Sequence, residues 1–236
     1  MGVADAYAAL NDFDGAISAL KTGYENTSDE SITTALAGLL FKSADKSLSD
    51  NNYEKAIMEF EQILKIDTKS VNAYIGTADC YIGLENNDKA IKTLQSGYEA
   101  TGDKNIKSKL TELLSDCADK YRNEKNYDEA AEQLAQLIKL DDTNASAYIS
   151  LADAYTSADN ADKALETLEK GLEKTNDSSI KTKLVSLLTQ SANRSLSEKK
   201  YQQALTSFKK LADIDTKNSG AYIGAANAYI GLEQND

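Results

Sequence analysis

Seven positions at one recurring register carry side chains that can hydrogen-bond or bear charge: Asp5, Asp45, Asp79, Asp119, Asp153, Asn193 and Asn227. A carboxylate there accepts hydrogen bonds and attracts cations, and an amide both donates and accepts. The chain has no histidine, which removes the commonest general base and the commonest metal ligand. The acids are periodic, whereas a catalytic constellation would interrupt the pattern. Neither a nucleophile–base pairing nor a Gly-rich phosphate loop after a strand accompanies them. We therefore expect no enzyme, no cofactor and no metal site.

Cys80 and Cys117 are the only cysteines, too few for a disulfide framework. Cys80 aligns with Ala6, Ala154 and Ala228, and Cys117 with Ser43 and Ser191, so both read as small buried thiols. The thirteen tyrosines fall at recurring positions, such as Tyr7, Tyr81, Tyr155 and Tyr229, or Tyr53, Tyr127 and Tyr201. They read as packing residues whose hydroxyls reach the rim.

Composition narrows the partner. The formal charge is −12, with 38 acidic against 26 basic residues. Neutralising phosphates needs clustered Lys and Arg, so neither a nucleic acid nor an anionic membrane is expected. A charged partner is expected to be basic or zwitterionic. No apolar run approaches the roughly 20 residues that span a bilayer, and no signal-peptide pattern follows Met1; the compartment stays open. Four matches to the glycosylation sequon, at Asn26, Asn144, Asn176 and Asn193, are expected by chance in a chain rich in Asn, Ser and Thr.

The elements that position these residues repeat. Ala73-Tyr74-Ile75-Gly76 recurs as Ala147-Tyr148-Ile149-Ser150 and again as Ala221-Tyr222-Ile223-Gly224, at one constant offset and without a gap. Each unit splits into two helical hairpins. In the first, Tyr74, Ala78 and Tyr81 share a face at helical spacing, Glu85-Asn86-Asn87 turns the chain, and Ala90, Ile91, Leu94 and Tyr98 form the return stripe. In the second, Leu114, Cys117, Ala118 and Tyr121 make the first stripe, Asn126-Tyr127 the turn, and Ala130, Leu134, Leu137 and Ile138 the return. The chain contains no proline, so nothing forbids long helices.

The pattern bulky–x2–small–small–x2–Tyr, followed by Ala–x3–aromatic or Leu at a 34-residue spacing, resembles the tetratricopeptide repeat. The resemblance covers essentially the whole chain. It implies an all-α, right-handed superhelix of antiparallel hairpins, here at about 1–28, 29–68, 71–101, 103–142, 145–175 and 177–216, with an unpaired helix at 219–236. Three features depart from the family. Tyr or Leu replaces the usual Trp, the closing proline is missing near Gly102, Asp142, Asn176 and Thr216, and every second hairpin carries six extra residues. In those extra residues Asp29, Asp103 and Asp177 are placed to cap a new helix. Ile106 and Leu110 extend its apolar stripe, so first helices should alternate short and long by about 9 Å.

The resemblance also implies that the Asp and Asn series lines a concave groove, where each could hydrogen-bond the backbone of an extended peptide. Stacked carboxylates without a ligand should repel one another. Apolar residues flank the series: Ile75 and Ile82 about Asp79, Phe41 and Leu48 about Asp45, Ile149 beside Asp153, and Ile223 and Ile230 about Asn227. Neighbouring Gly76, Gly83, Gly224 and Gly231 leave room either for a ligand or for tight helix contact. The basic clamp that some members use for a C-terminal carboxylate is absent.

Met1 aligns with Ile75, and the last segment keeps the apolar residues of interior copies, so the chain reads as a stretch of a longer array. Two functions follow. One is a scaffold that binds a protein or peptide with basic or spaced apolar side chains. The other is a homo-oligomer that stacks head-to-tail through uncapped ends.

Overall fold

The computed structural model describes residues 2–10 and 12–233, so Met1 and Asp236, the outer limits of the expected hairpins, lie outside it. The described residues form thirteen helices and no strands. They are α1 (Gly2–Ala9), α2 (Phe13–Thr27), α3 (Glu30–Ser49), α4 (Tyr53–Ile66), α5 (Val71–Gly83), α6 (Asn87–Thr101), α7 (Lys104–Asn123), α8 (Tyr127–Leu140), α9 (Ala145–Ser157), α10 (Ala161–Thr175), α11 (Ser178–Ser197), α12 (Tyr201–Ile214) and α13 (Ser219–Glu233). The chain divides into two compact units, Met1–Leu113 and Leu114–Asp236. Within each, helices adjacent in sequence pack as antiparallel hairpins.

First helices alternate as expected. α5 and α9 have 13 residues, whereas α3, α7 and α11 have 20. The seven added residues lengthen the helix by about 10 Å. The junction before each long helix shows how. Thr27, Thr101 and Thr175 donate their hydroxyls to the carbonyls of Gly23, Gly97 and Gly171, then accept the backbone N–H of Asp29, Asp103 and Asp177. Ser28, Gly102 and Asn176 turn the chain with φ of 54°, 65° and 50°, the left-handed stop that replaces a closing proline. Each Asp then caps the new helix. Asp103 Oδ1 accepts from Asn105 N at 2.8 Å and Asp177 Oδ1 from Ser179 N at 2.7 Å. The backbone N–H of Ser31 holds the Asp29 carboxyl below its ordinary pKa.

Turns inside the hairpins use another device. Asn51, Glu85, Lys125, Asp159 and Lys199 adopt positive φ, and the N–H of the next residue reaches back five residues, as Asn86 N does to Tyr81 O at 2.8 Å. This is the Schellman closure, built here without glycine.

The apolar stripes are the cores. In the first unit Ala90, Ile91, Leu94, Ile106 and Leu110 are buried, and Leu40, Phe60 and Ile63 anchor a cluster against which Phe41, Leu48, Tyr53 and Tyr81 pack. In the second, Leu114, Cys117, Ala118, Leu134, Leu137 and Ile138 are buried as their spacing predicts. The tyrosine hydroxyls behave differently from copy to copy. Tyr74 and Tyr222 donate to the carbonyls of Thr68 and Thr216 at 3.2 Å. Tyr148 is 1% exposed, and its buried hydroxyl has no hydrogen-bond partner among the described residues.

Both cysteines are buried. Burial, and then the adjacent Asp79 carboxylate, pushes the Cys80 thiol from 9.0 up to about 11. A raised folded-state value means the thiol's contribution to stability is intact below its ordinary value and is lost as pH rises toward 11. Iodoacetamide at pH 8 should therefore leave Cys80 unmodified in the folded chain and label it only after denaturant is added, with mass spectrometry of the peptide as the readout. Labelling of the folded chain at the rate of an unfolded control would contradict this.

Candidate ligand-binding face

In the first unit Asp5 (α1) and Asp45 (α3) are exposed and Asp79 (α5) is half-buried. In the second, Asp119 (α7), Asn193 (α11) and Asn227 (α13) are exposed and Asp153 (α9) is half-buried. The two half-buried members are ion-paired. Lys109 Nζ lies 2.6 Å from Asp79 Oδ1, and Lys183 Nζ lies 2.7 Å from Asp153 Oδ1. Each lysine comes from the long first helix that follows. Asp119 pairs within its own helix, with Arg122 Nη1 at 3.1 Å. The repulsion expected along the series is thus relieved at three of the five carboxylates. These pairs are part-exposed, so each adds at most about 1 kcal/mol; their effect is to fix and neutralise the side chain.

The sequence reading missed Lys109 and Lys183. The signal was present, because they repeat at the same offset as the aspartates they hold, while Ala35 stands at the equivalent place in the first copy.

The flanking apolar residues divide into two kinds. Phe41 packs edge-on to Phe60, with ring centroids 6.2 Å apart and planes at 64°, and Leu48 also lies against the core. Ile75 and Ile149 are half-buried, Ile82 is more open, and Ile223 and Ile230 are 62% and 53% exposed.

The glycines resolve an alternative that the sequence leaves open. A Cβ on Gly76 would lie 2.3 Å from Phe60 Cζ, and one on Gly83 2.4 Å from Tyr53 Cζ. On Gly224 and Gly231 it would meet the rings of Phe208 and Tyr201, each at 2.3 Å. Aromatic rings of the preceding helix occupy this space. The glycines serve tight helix contact and leave no room there for a ligand.

A second feature that periodicity did not expose is a buried carboxylate. Glu59 (α4) is 4% exposed. It accepts the Ser43 hydroxyl at 2.6 Å and the Ser47 hydroxyl at 3.1 Å, with Lys55 Nζ at 3.9 Å. Gln133 and Ser207 stand at this place in the other copies, so no acidic pattern marks it.

Clefts between alternate helices are bridged. In the first unit the cleft between α2 and α4, floored by Leu36 and Leu40, is crossed by Lys21 donating to Gln62 and by Lys55 on Asp14 at 2.9 Å. In the second, Lys210 (α12) reaches Glu169 (α10) at 2.6 Å. The pairs 21/62 and 169/210 are equivalent positions with their chemistry exchanged. Among the described residues no group of three or more Cys, Asp or Glu is placed to hold a metal ion, and no helix is long and apolar enough to cross a membrane.

The sequence pattern of the tetratricopeptide repeat matches residues 47–113 and 121–187, two segments that lie exactly one period apart and together exceed half the chain. The chain belongs to the tetratricopeptide repeat family. Tetratricopeptide repeats are in general protein-interaction modules without catalysis, and this chain shares their hairpin fold. Among solved structures it is similar to MamA (23% identity, 74% of this chain and 95% of MamA, TM-score 0.36). It is also similar to YrrB, described as a TPR protein with an unusual peptide-binding site (21%, 75% and 85%, 0.35), and to a TPR repeats protein from Bacteroides fragilis (14%, 97% and 96%, 0.48). No curated protein matches.

Proposed function

We propose that this tetratricopeptide chain is a scaffold that holds an extended polypeptide along its first helices. The observation that supports it is the solvent-accessible Asp and Asn series, kept at one register in every first helix. Asn193 and Asn227 are exposed amides, able to donate to and accept from a peptide backbone. Asp79 and Asp153, each tied to a lysine, present a neutral ion pair. That arrangement favours peptide amides over basic side chains and narrows the ligand to a near-neutral segment with spaced apolar residues, which Ile82 can contact in the first unit, or Ile223 and Ile230 in the second.

The test uses short peptides selected from a random display library on the immobilised chain, then titrated calorimetrically. Asn193→Ala combined with Asn227→Ala should weaken the selected peptides by about tenfold, a loss of about 1.4 kcal/mol. Melting should barely move, since both residues are exposed and away from the core. Unchanged affinity would remove the series from the binding site. Asp79 and Asp153 are poorer probes, because their removal strands a lysine.

A further inference from the structure

Within the second unit a cleft of about 290 Å³ opens between α8 and α10, over α9. Its opening traces to one position. Ala135 lines the α8 wall, where the other copies carry the long side chains of Glu61 and Lys209. In the first copy burial, and then the nearby Glu61 carboxylate, raises the Tyr81 phenol above its ordinary value. Tyr155 is the equivalent ring, and here only a methyl group stands beside it. The floor changes in the same sense, since Leu151 replaces the first copy's Thr77.

Polar groups converge on this apolar floor. Lys163 Nζ lies over the Tyr155 ring, 5.3 Å from its centroid, which keeps its charge at the mouth. Lys170, two turns along α10, is exposed and makes no ion pair among the described residues. Thr22 and Ser96 hold its place in the other copies, so this charge is particular to the cleft. Glu166 stands between the two lysines, and the lining stays net positive.

Tyr148 adds a donor without an acceptor. Tyr74 and Tyr222 give their hydroxyls to backbone carbonyls, whereas the buried Tyr148 hydroxyl has no hydrogen-bond partner among the described residues. The Asp142 carboxylate is held instead by Lys174 Nζ at 3.0 Å. Burial, and then Asp142, raises the Tyr148 phenol above its ordinary value, so it stays protonated. An unmet buried donor weakens the fold, and an acceptor that reaches it recovers the loss.

We propose that this cleft binds a small amphipathic carboxylate. Its aromatic or branched aliphatic body lies on Leu151 and Tyr155, and its carboxylate accepts from Tyr148 and pairs with Lys170. The volume is at the lower limit of ligand sites, roughly 300 Å³, and suits one small molecule rather than a helix or an extended peptide. The site uses no residue of the Asp and Asn register, so it stands independently of peptide binding.

The experiment is a ligand-observed NMR titration of the 236-residue chain with phenylacetate and with isocaproate, each against its uncharged amide. At least one acid should bind with a Kd of about 1 mM or tighter, and its amide at least about fivefold more weakly. Ala135→Glu restores the first copy's residue at an exposed position, and should abolish binding while the chain stays folded. Lys170→Gln should weaken the acid about fivefold, and Glu166→Gln should strengthen it about twofold. Tyr148→Phe separates binding from structure. It should weaken the acid at least about fivefold, while the melting temperature holds or rises because an unmet hydroxyl is gone. No binding of either acid up to about 10 mM would overturn the proposal. So would amides that bind as tightly as the acids, or an affinity unchanged by Ala135→Glu or by Tyr148→Phe.

Discussion

Replacing Gly76 by alanine is expected to destabilise the chain by about 2 kcal/mol, the reverse of what the same change does in an open helix. Alanine in place of glycine in a helix interior ordinarily gains about 1 kcal/mol. Here the new methyl would fall 2.3 Å from Phe60 Cζ, inside a ring that is 1% exposed and locked in the core. Neither the ring nor the backbone of α5 can yield cheaply, and overpacking costs about 1–3 kcal/mol beyond any propensity gain. The other copies supply the control. Where Phe60 and Phe208 face Gly76 and Gly224, the middle copy has Leu134 with Ser150, so ring volume and glycine are traded together. Gly76→Ser in a Phe60→Leu background should therefore cost little. The double-mutant cycle, read by urea denaturation, should show a coupling of at least about 1 kcal/mol. Additive effects would mean that the ring does not set the glycine.

The second large effect is expected at Glu59. Ser43→Ala combined with Ser47→Ala leaves a carboxylate that is 4% exposed with Lys55 Nζ at 3.9 Å as its remaining neighbour. Losing two hydrogen bonds to a buried charge should cost about 3 kcal/mol. Glu59→Gln should cost much less, since Gln133 fills the equivalent place and is also buried. Chemical denaturation of the three proteins decides the matter. Equal losses for the serine pair and for Glu59→Gln would show that packing, not charge satisfaction, governs the site.

Much of the fold was legible because burial is periodic. Leu114, Cys117 and Ala118 could be placed in a core from spacing alone, and Asp103 and Asp177 could be placed as caps because a cap depends only on near neighbours in sequence. The ion pairs were harder to read. Whether Lys109 meets Asp79 depends on how two helices lie against each other, and spacing along one helix carries no such information. Glu59 was hidden for a different reason: its place holds Glu, Gln and Ser in successive copies, so it left no repeated signature. In the sequence the glycines fit ligand space and helix contact equally well. Only the position of the Phe60 and Tyr53 rings separates those readings, although the exchange of Phe–Gly for Leu–Ser was visible in the repeat itself.

The unequal first helices of 13 and 20 residues restrict how such an array can grow or shrink. Dropping or adding a single hairpin, whether the short or the long one, would bring two long or two short helices into succession. It would set Phe60-type rings against residues that are not their glycines, and present Lys109-type side chains where no aspartate waits. A gain or loss of one complete pair of hairpins, such as the stretch from Phe60 up to Leu134, keeps the alternation of helices, the caps and the lysine–aspartate pairs, and leaves Leu134 facing Ser150 as it already does. Recombination between copies in register would therefore yield folded products only in whole pairs, and an engineer who wishes to change the length of this scaffold should cut and join at equivalent positions of successive pairs.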